Sequence, residues 1–217
     1  MSGFRYSPPC EPLSVVYRDG ALLLVDKPSG LLSVPGKSAD LSDCLESRVK
    51  AEYSGALLVH RLDMSTSGLM VFAMTRAAQR NLGIQFEKRI VKKTYVARVF
   101  GHVAESGGVI KFPLSADWPN RPKQKIDMLN GRSATTRWQV ICREQLATRL
   151  FLFPETGRSH QLRVHMKEIG HPVLGDRLYA DDRAASAADR LQLHAERLEF
   201  RHPIGGKAVQ YEAKCPF

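Results

Sequence analysis

The 217-residue chain has no C-x-x-C pair. Its four cysteines, Cys10, Cys44, Cys142 and Cys215, lie far apart, which argues against a disulfide scaffold and a cysteine-built zinc site. No apolar run approaches the length of a membrane helix, and the first residues carry no signal-like apolar stretch. A soluble protein of the reducing cytoplasm is therefore expected, with no membrane partner. Nucleotide and metal motifs are missing too: there is no G-x-G-x-x-G, no P-loop and no H-E-x-x-H. Nor is there an internal repeat, a low-complexity tract or a linker. Acidic residues are in short supply, 22 Asp+Glu against 32 Lys+Arg, for a formal charge of +10. That balance is silent about fold but favours a polyanionic partner such as nucleic acid. Hydrophobic residues at 43% and charged residues at 25% are ordinary for a globular chain with a real core.

The most informative stretch is His60-Arg61-Leu62-Asp63-Met64-Ser65-Thr66-Ser67-Gly68. Apolar runs flank it, Leu57-Leu58-Val59 before and Leu69 to Met74 after, and read as two buried strands joined by a polar loop. Such a loop presents a carboxylate, Asp63, among hydrogen-bond donors on a rigid mount. The bland alternative is an Asp that only ties its own turn together.

Around this loop the chain reads as follows. Residues 1–12 form an irregular lead-in. A hairpin turns at Asp19-Gly20, between Val15–Tyr17 and Leu22–Val25. The four-residue spacing of Leu41, Leu45, Val49 and Tyr53 predicts a helix over 41–53. Thr75 caps a helix running to about Arg89, with Ala78, Leu82 and Phe86 as its buried stripe. Strands follow over 94–100, 132–142 and 149–153. A helix opens at Thr156-Gly157, with Leu162, Met166 and Ile169 on one face, and closes at Gly170. A short helix over 183–190 and strands near 193–200 and 207–213 end the chain. Many strands with few, unevenly spaced helices predict an α+β fold with a mixed, largely antiparallel sheet.

The string His-Arg-Leu-Asp-x-x-Thr-Ser-Gly resembles the signature loop of the RluA family of RNA pseudouridine synthases. Five further segments match that family in order: Asp26-Lys27-Pro28-Ser29-Gly30, the Lys93-Thr94-Tyr95-Val96-Ala97 strand, the basic stretch Asp117–Lys125, Thr156-Gly157-Arg158-Ser159-His160-Gln161-Leu162-Arg163-Val164-His165, and Leu174-Gly175-Asp176. The resemblance implies the pseudouridine synthase fold and Asp63 as the catalytic residue. The reaction breaks a C–N glycosidic bond, turns the base and closes a C–C bond, with no cofactor and no metal. It further implies that Tyr95 stacks on the target base, where a lone strand Tyr would otherwise be read as core. Arg163 is implied to pair with the catalytic carboxylate, a solvated arginine being the alternative.

Arg61 reads as an RNA contact, as a filler of the space left by a flipped base, or as a loop anchor. Leu174 is implied to pack against the substrate pocket. His60, His160 and His165 do not have metal spacing and read as hydrogen-bonding residues. Trp118, Arg121, Lys123 and Lys125 form a proline-stiffened basic loop suited to phosphates and a stacked base, the alternative being a Trp118 tucked into the core. This loop resembles one in small enzymes of the family that modify both large-subunit 23S rRNA and tRNA anticodon stem-loops. Many relatives carry an N-terminal S4 module; the expectation here is a single catalytic domain over 13–217 without one, acting as a monomer on stem-loop RNA. The rival readings are a non-catalytic RNA-binding module on the same scaffold and an unrelated hydrolase using Asp63 as a base.

Overall fold

Every residue of Ser67–Ala73 is buried, and that run forms the centre of the first of two compact units. The computed structural model describes residues 6–217. The elements are β1 (Ser14–Arg18), β2 (Leu22–Lys27), α1 (Leu45–Glu52), β3 (Leu57–Leu58), β4 (Ser67–Ala73), α2 (Arg76–Glu87), β5 (Lys92–Phe100) and β6 (Gly107–Ile110). They continue with β7 (Leu114–Ala116), β8 (Gln124–Ile126), β9 (Thr136–Arg143), β10 (Ala147–Pro154), α3 (Gln161–Glu168), α4 (Asp182–Ser186), β11 (Leu193–Arg201) and β12 (Ala208–Glu212). Residues 1–5 of the expected lead-in lie outside the described residues; from Tyr6 to Leu13 the chain carries no helix or strand. No described helix is long and apolar enough to cross a membrane.

The first unit comprises residues up to Val91 together with Ala195–Lys214. Its strands run β1-β2-β4-β11-β12, with β3 paired to the end of β4. The β1–β2 hairpin turns at Asp19-Gly20 as expected, because the Asp19 carboxylate accepts the Ala21 and Leu22 N–H groups at 2.7 and 2.8 Å. Leu69, Val71 and Ala73 share one core with Ala78 and Leu82 of α2, and Phe86 packs against it, so the predicted stripe is the buried one. The Thr75 hydroxyl caps α2 by accepting the Ala78 N–H at 3.1 Å. α1 begins four residues later than the spacing suggests, where Cys44 and Ser47 cap it reciprocally.

The second unit comprises Lys92–His194 and Cys215–Phe217. Its strands run β5-β10-β9-β6, all antiparallel, with β7 and β8 as a separate hairpin. Ala97, Val99, Leu150 and Leu152 pack with Leu162 and Met166 of α3 and with Val173. α3 starts at Gln161, not at Thr156. The Thr156 hydroxyl is already committed, donating to Gln161 Oε1 at 2.7 Å and accepting the Thr135 N–H at 3.0 Å. It therefore locks the turn ahead of the helix.

Two kinds of group couple this fold to pH. Burial holds His165 below the usual imidazole range, against an opposing hydrogen bond to the Phe112 carbonyl. The unfolded chain takes up a proton near pH 6.5 that the folded chain refuses, so stability is full above that pH and declines below it. For Asp19, burial acts to raise the pKa, but the Ala21, Leu22, His202 and Tyr17 hydrogen bonds lower it on balance; Glu144 is lowered chiefly by Arg98. Their contributions persist above the unfolded carboxylate range near pH 4 and are lost below it. Urea midpoints are expected to decline gently from about pH 6.5 and steeply below about pH 4. In His165→Gln the first decline is expected to flatten; an unchanged slope between pH 7 and 5 refutes the assignment.

Candidate active site

The Asp63 loop is held to the segment after β2 at almost every residue. The Ser33 hydroxyl donates to the Leu62 carbonyl at 2.6 Å and accepts the Leu62 N–H at 3.1 Å. The Met64 carbonyl takes two hydrogen bonds, from Lys27 Nζ at 3.0 Å and from the Gly30 N–H at 2.9 Å. Ser29 donates to the Ser65 carbonyl at 2.7 Å, and the Asp63 carbonyl accepts the Thr66 N–H at 3.1 Å. Ahead of the loop, His60 Nε2 accepts the Val71 N–H at 3.1 Å while its ring stacks on Phe86. His60 is thus a hydrogen-bonding residue of the loop base.

Lys27 is the least expected member of this clamp. It is fully buried at the end of β2, and its ammonium also donates to the Pro28 and Leu31 carbonyls at 3.0 and 2.8 Å. A buried ammonium is tolerated where several acceptors replace its water, as these carbonyls do. The consequence is a carboxylate on a half-buried residue, Asp63, whose two chain neighbours cannot move independently of the core. Arg61, by contrast, is exposed. No individual role for Lys27, Ser29 or Ser33 was read from the sequence; the signal for the first two was the family-like segment Asp26-Lys27-Pro28-Ser29-Gly30 at the end of β2.

Gly68 closes the loop with φ of +115°. A Cβ there would lie 2.3 Å from the Ala195 carbonyl oxygen and 2.5 Å from its nitrogen, a clash with backbone that no rotamer relieves. Gly68→Ala is expected to destabilise the protein by at least about 2–3 kcal/mol, measured as a shift in urea midpoint.

In the second unit, Tyr95 lies half-buried on β5 opposite Leu152 of β10 and packs against the core described above. Leu174 is buried at the turn that follows α3. Its N–H donates to the Arg98 carbonyl at 2.9 Å and its carbonyl accepts the Gln192 N–H at 2.9 Å. Arg163 is buried, not solvated, at 4% exposure. Its Nε and Nη2 form a two-point pair with the Asp176 carboxylate at 2.8 and 2.6 Å. Asp176 also accepts the Leu178 and Tyr179 N–H groups at 3.0 and 3.3 Å.

The neighbours of Arg163 in its motif serve the helix. Gln161 donates to the Thr135 carbonyl and the Thr136 hydroxyl, and His165 bridges Thr136 and the Phe112 carbonyl. Both tie α3 to β9 and its approach. No cluster of metal-ligating side chains occurs among the described residues.

The basic loop spans the tip of the β7–β8 hairpin. A 3-10 turn at Trp118–Asn120 and the Asp117 N–H to Lys123 carbonyl bond (3.0 Å) fold it back on itself. Trp118 is 67% exposed, so the core-packed alternative does not hold. The Arg121 guanidinium lies over its ring, 3.4 Å from the centroid. Lys125 is exposed and Lys123 partly so. Thus Arg61 and Asp63 belong to the first unit, whereas Tyr95, Arg163, Leu174 and the four hairpin residues belong to the second.

A family profile described as RNA pseudouridylate synthase matches residues 21–168, which include Asp63, Tyr95 and Arg163. The "Dual-specificity RNA pseudouridine synthase RluA" of Yersinia pestis is 51% identical over 204 residues, covering 94% of this chain and 99% of that protein. The protein of the same name from Haemophilus influenzae is 46% identical over 219 residues, covering all of both. Among solved structures, "Human RNA Pseudouridylate Synthase Domain Containing 1" is similar with a TM-score of 0.80 at 30% identity, covering 97% of this chain and 86% of that one. With its α+β architecture and a family match across most of its length, the chain belongs to the RNA pseudouridylate synthase family.

Proposed function

We propose that this chain isomerises uridine to pseudouridine in structured RNA, with Asp63 as the acting carboxylate, and that both large-subunit 23S rRNA and a tRNA anticodon stem-loop are substrates. The observation that carries the reading is the clamp on residues 62–66, which fixes the backbone on both sides of that carboxylate through groups other than the carboxylate itself. Two relatives of nearly full length are named dual-specificity RNA pseudouridine synthases, which supports the pair of substrates. Residues 13–217 serve as one catalytic domain, working as a monomer in the cytoplasm.

In this reading a uridine leaves its stack, because a loop carboxylate cannot reach the glycosidic bond of a stacked base. Arg61, exposed beside Asp63, fills the vacated space or contacts RNA. The Tyr95 ring supports the flipped base by its face, over a pocket wall that includes Leu174. Asp63 acts as nucleophile or base while the C1′–N1 bond breaks; the base turns, C1′ bonds to C5, and the C5 hydrogen departs as a proton. Arg163, already oriented by Asp176, supplies the positive charge of the site. Trp118, Arg121, Lys123 and Lys125 hold the RNA through stacking and phosphate contacts.

The test is tritium release from RNA labelled at C5 of uridine, with rRNA-fragment and tRNA stem-loop transcripts assayed separately. Release from both supports dual specificity; release from one narrows it. Binding without release from either leaves a non-catalytic RNA-binding module. Trp118→Ala is expected to raise KM for a stem-loop by about ten-fold, the size of one lost base stack, with a smaller change in kcat. An unchanged KM removes Trp118 from the interface.

A further inference from the structure

The basic hairpin and the buried arginine of the second unit are joined through one side chain that the proposed chemistry leaves unused. Tyr179 lies three residues beyond Asp176. Its hydroxyl accepts the backbone N–H of Gln124 at 2.7 Å and meets His160 Nδ1 at 2.6 Å. Its ring lies under the Arg163 guanidinium, 5.1 Å from Cζ to centroid, and edge-on to the His160 ring at 5.5 Å. Its own N–H donates to the Asp176 carboxylate that grips Arg163. Gln124 opens β8 between Lys123 and Lys125. One phenol therefore touches the base of the RNA-reading hairpin, the residue ahead of α3, and the arginine on α3.

The hydroxyl receives the Gln124 hydrogen, and the direction of its second bond, to His160 Nδ1, is set by the imidazole tautomer. His160 itself has φ of +53°, a left-handed conformation that costs energy in a non-glycine residue. Such a conformation persists where the surroundings over-determine it, and the Tyr179 contact is part of what does so.

We propose that Tyr179 is a positioning residue that couples RNA docking on the Trp118–Lys125 hairpin to the orientation of Arg163. The proposal rests on the functional reading above. Through its hydroxyl it fixes the hairpin; through its ring and N–H it holds the Arg163–Asp176 pair.

These two halves are separable by substitution. Tyr179→Phe keeps the ring and loses both hydroxyl bonds. It is expected to raise KM for a stem-loop about five- to ten-fold, the usual cost of an orphaned hydrogen bond, while kcat falls less than three-fold. Tyr179→Leu also removes the ring from Arg163, and kcat is expected to fall at least ten-fold further. His160→Asn, whose side chain tolerates left-handed backbone, keeps the Gln124 bond and is expected to raise KM by less than Tyr179→Phe does. The decisive arm is a double-mutant cycle with Trp118→Ala, read by RNA Kd as well as by KM. If Tyr179 acts through the hairpin, the two costs combine to less than their product. A merely structural Tyr179 would lower kcat and thermal stability without that coupling. A wild-type Kd and KM in Tyr179→Phe, or costs that multiply in full, overturns the proposal. Because Kd needs no turnover, an absence of tritium release in the wild type would count against the synthase reading alone.

Discussion

Asp63→Asn is expected to bind a stem-loop RNA as tightly as the wild type and to release no C5 tritium, a loss in kcat of at least about 10⁴-fold. The amide matches the carboxylate in size, and the clamp acts on the backbone of Leu62, Met64 and Ser65, so the loop should keep its shape. What disappears is the charge and basicity without which neither attack on the sugar or base nor proton removal proceeds. Filter binding and tritium release measured on one preparation separate the two effects. If the Asp63→Asn protein turned over at a tenth of the normal rate, Asp63 could not be the acting group, and the clamp would be only a structural knot. A protein that bound RNA and released nothing in either form would be a binding module on this scaffold.

The parts of the fold that were legible in the sequence are those whose burial follows from local pattern. β4 is an apolar run bounded by Ser67-Gly68 and Thr75, and α2 repeats Ala78, Leu82 and Phe86 at helical spacing behind a threonine cap. β6, β7 and β8 escaped: Gly107-Gly108 offers no alternation, and three-residue strands are too short for a period to register. Helix starts shifted where capping was unusual, a cysteine at α1 and a threonine committed elsewhere before α3. The candidate site divides in the same way. Asp63 could be singled out because its motif is contiguous. Local pattern alone does not show that Lys27 and Arg163 are buried, because a charged residue is normally exposed unless its partners are known. Those partners include three carbonyls from two loops in one case, and a carboxylate thirteen residues further on in the other.

That buried pair supports the second large expectation. Arg163→Ala strands the Asp176 carboxylate at 1% exposure and is expected to cost about 3–5 kcal/mol of stability, enough to leave much of a marginal protein unfolded. Its inactivity would therefore say nothing about chemistry. Replacing both partners, as Arg163→Met with Asp176→Leu, removes the orphaned charge and refills the space. Stability is expected to return to within about 1–2 kcal/mol of the wild type, because apolar replacements of a buried ion pair are often neutral or better. Turnover should stay down by at least about 10²-fold, as for loss of an electrostatic contact at a reacting centre. Urea midpoints and tritium release on the two variants decide the matter. A double variant that is both stable and active makes Arg163 a strut of the second unit. One that is stable and inactive assigns the arginine to the reaction itself.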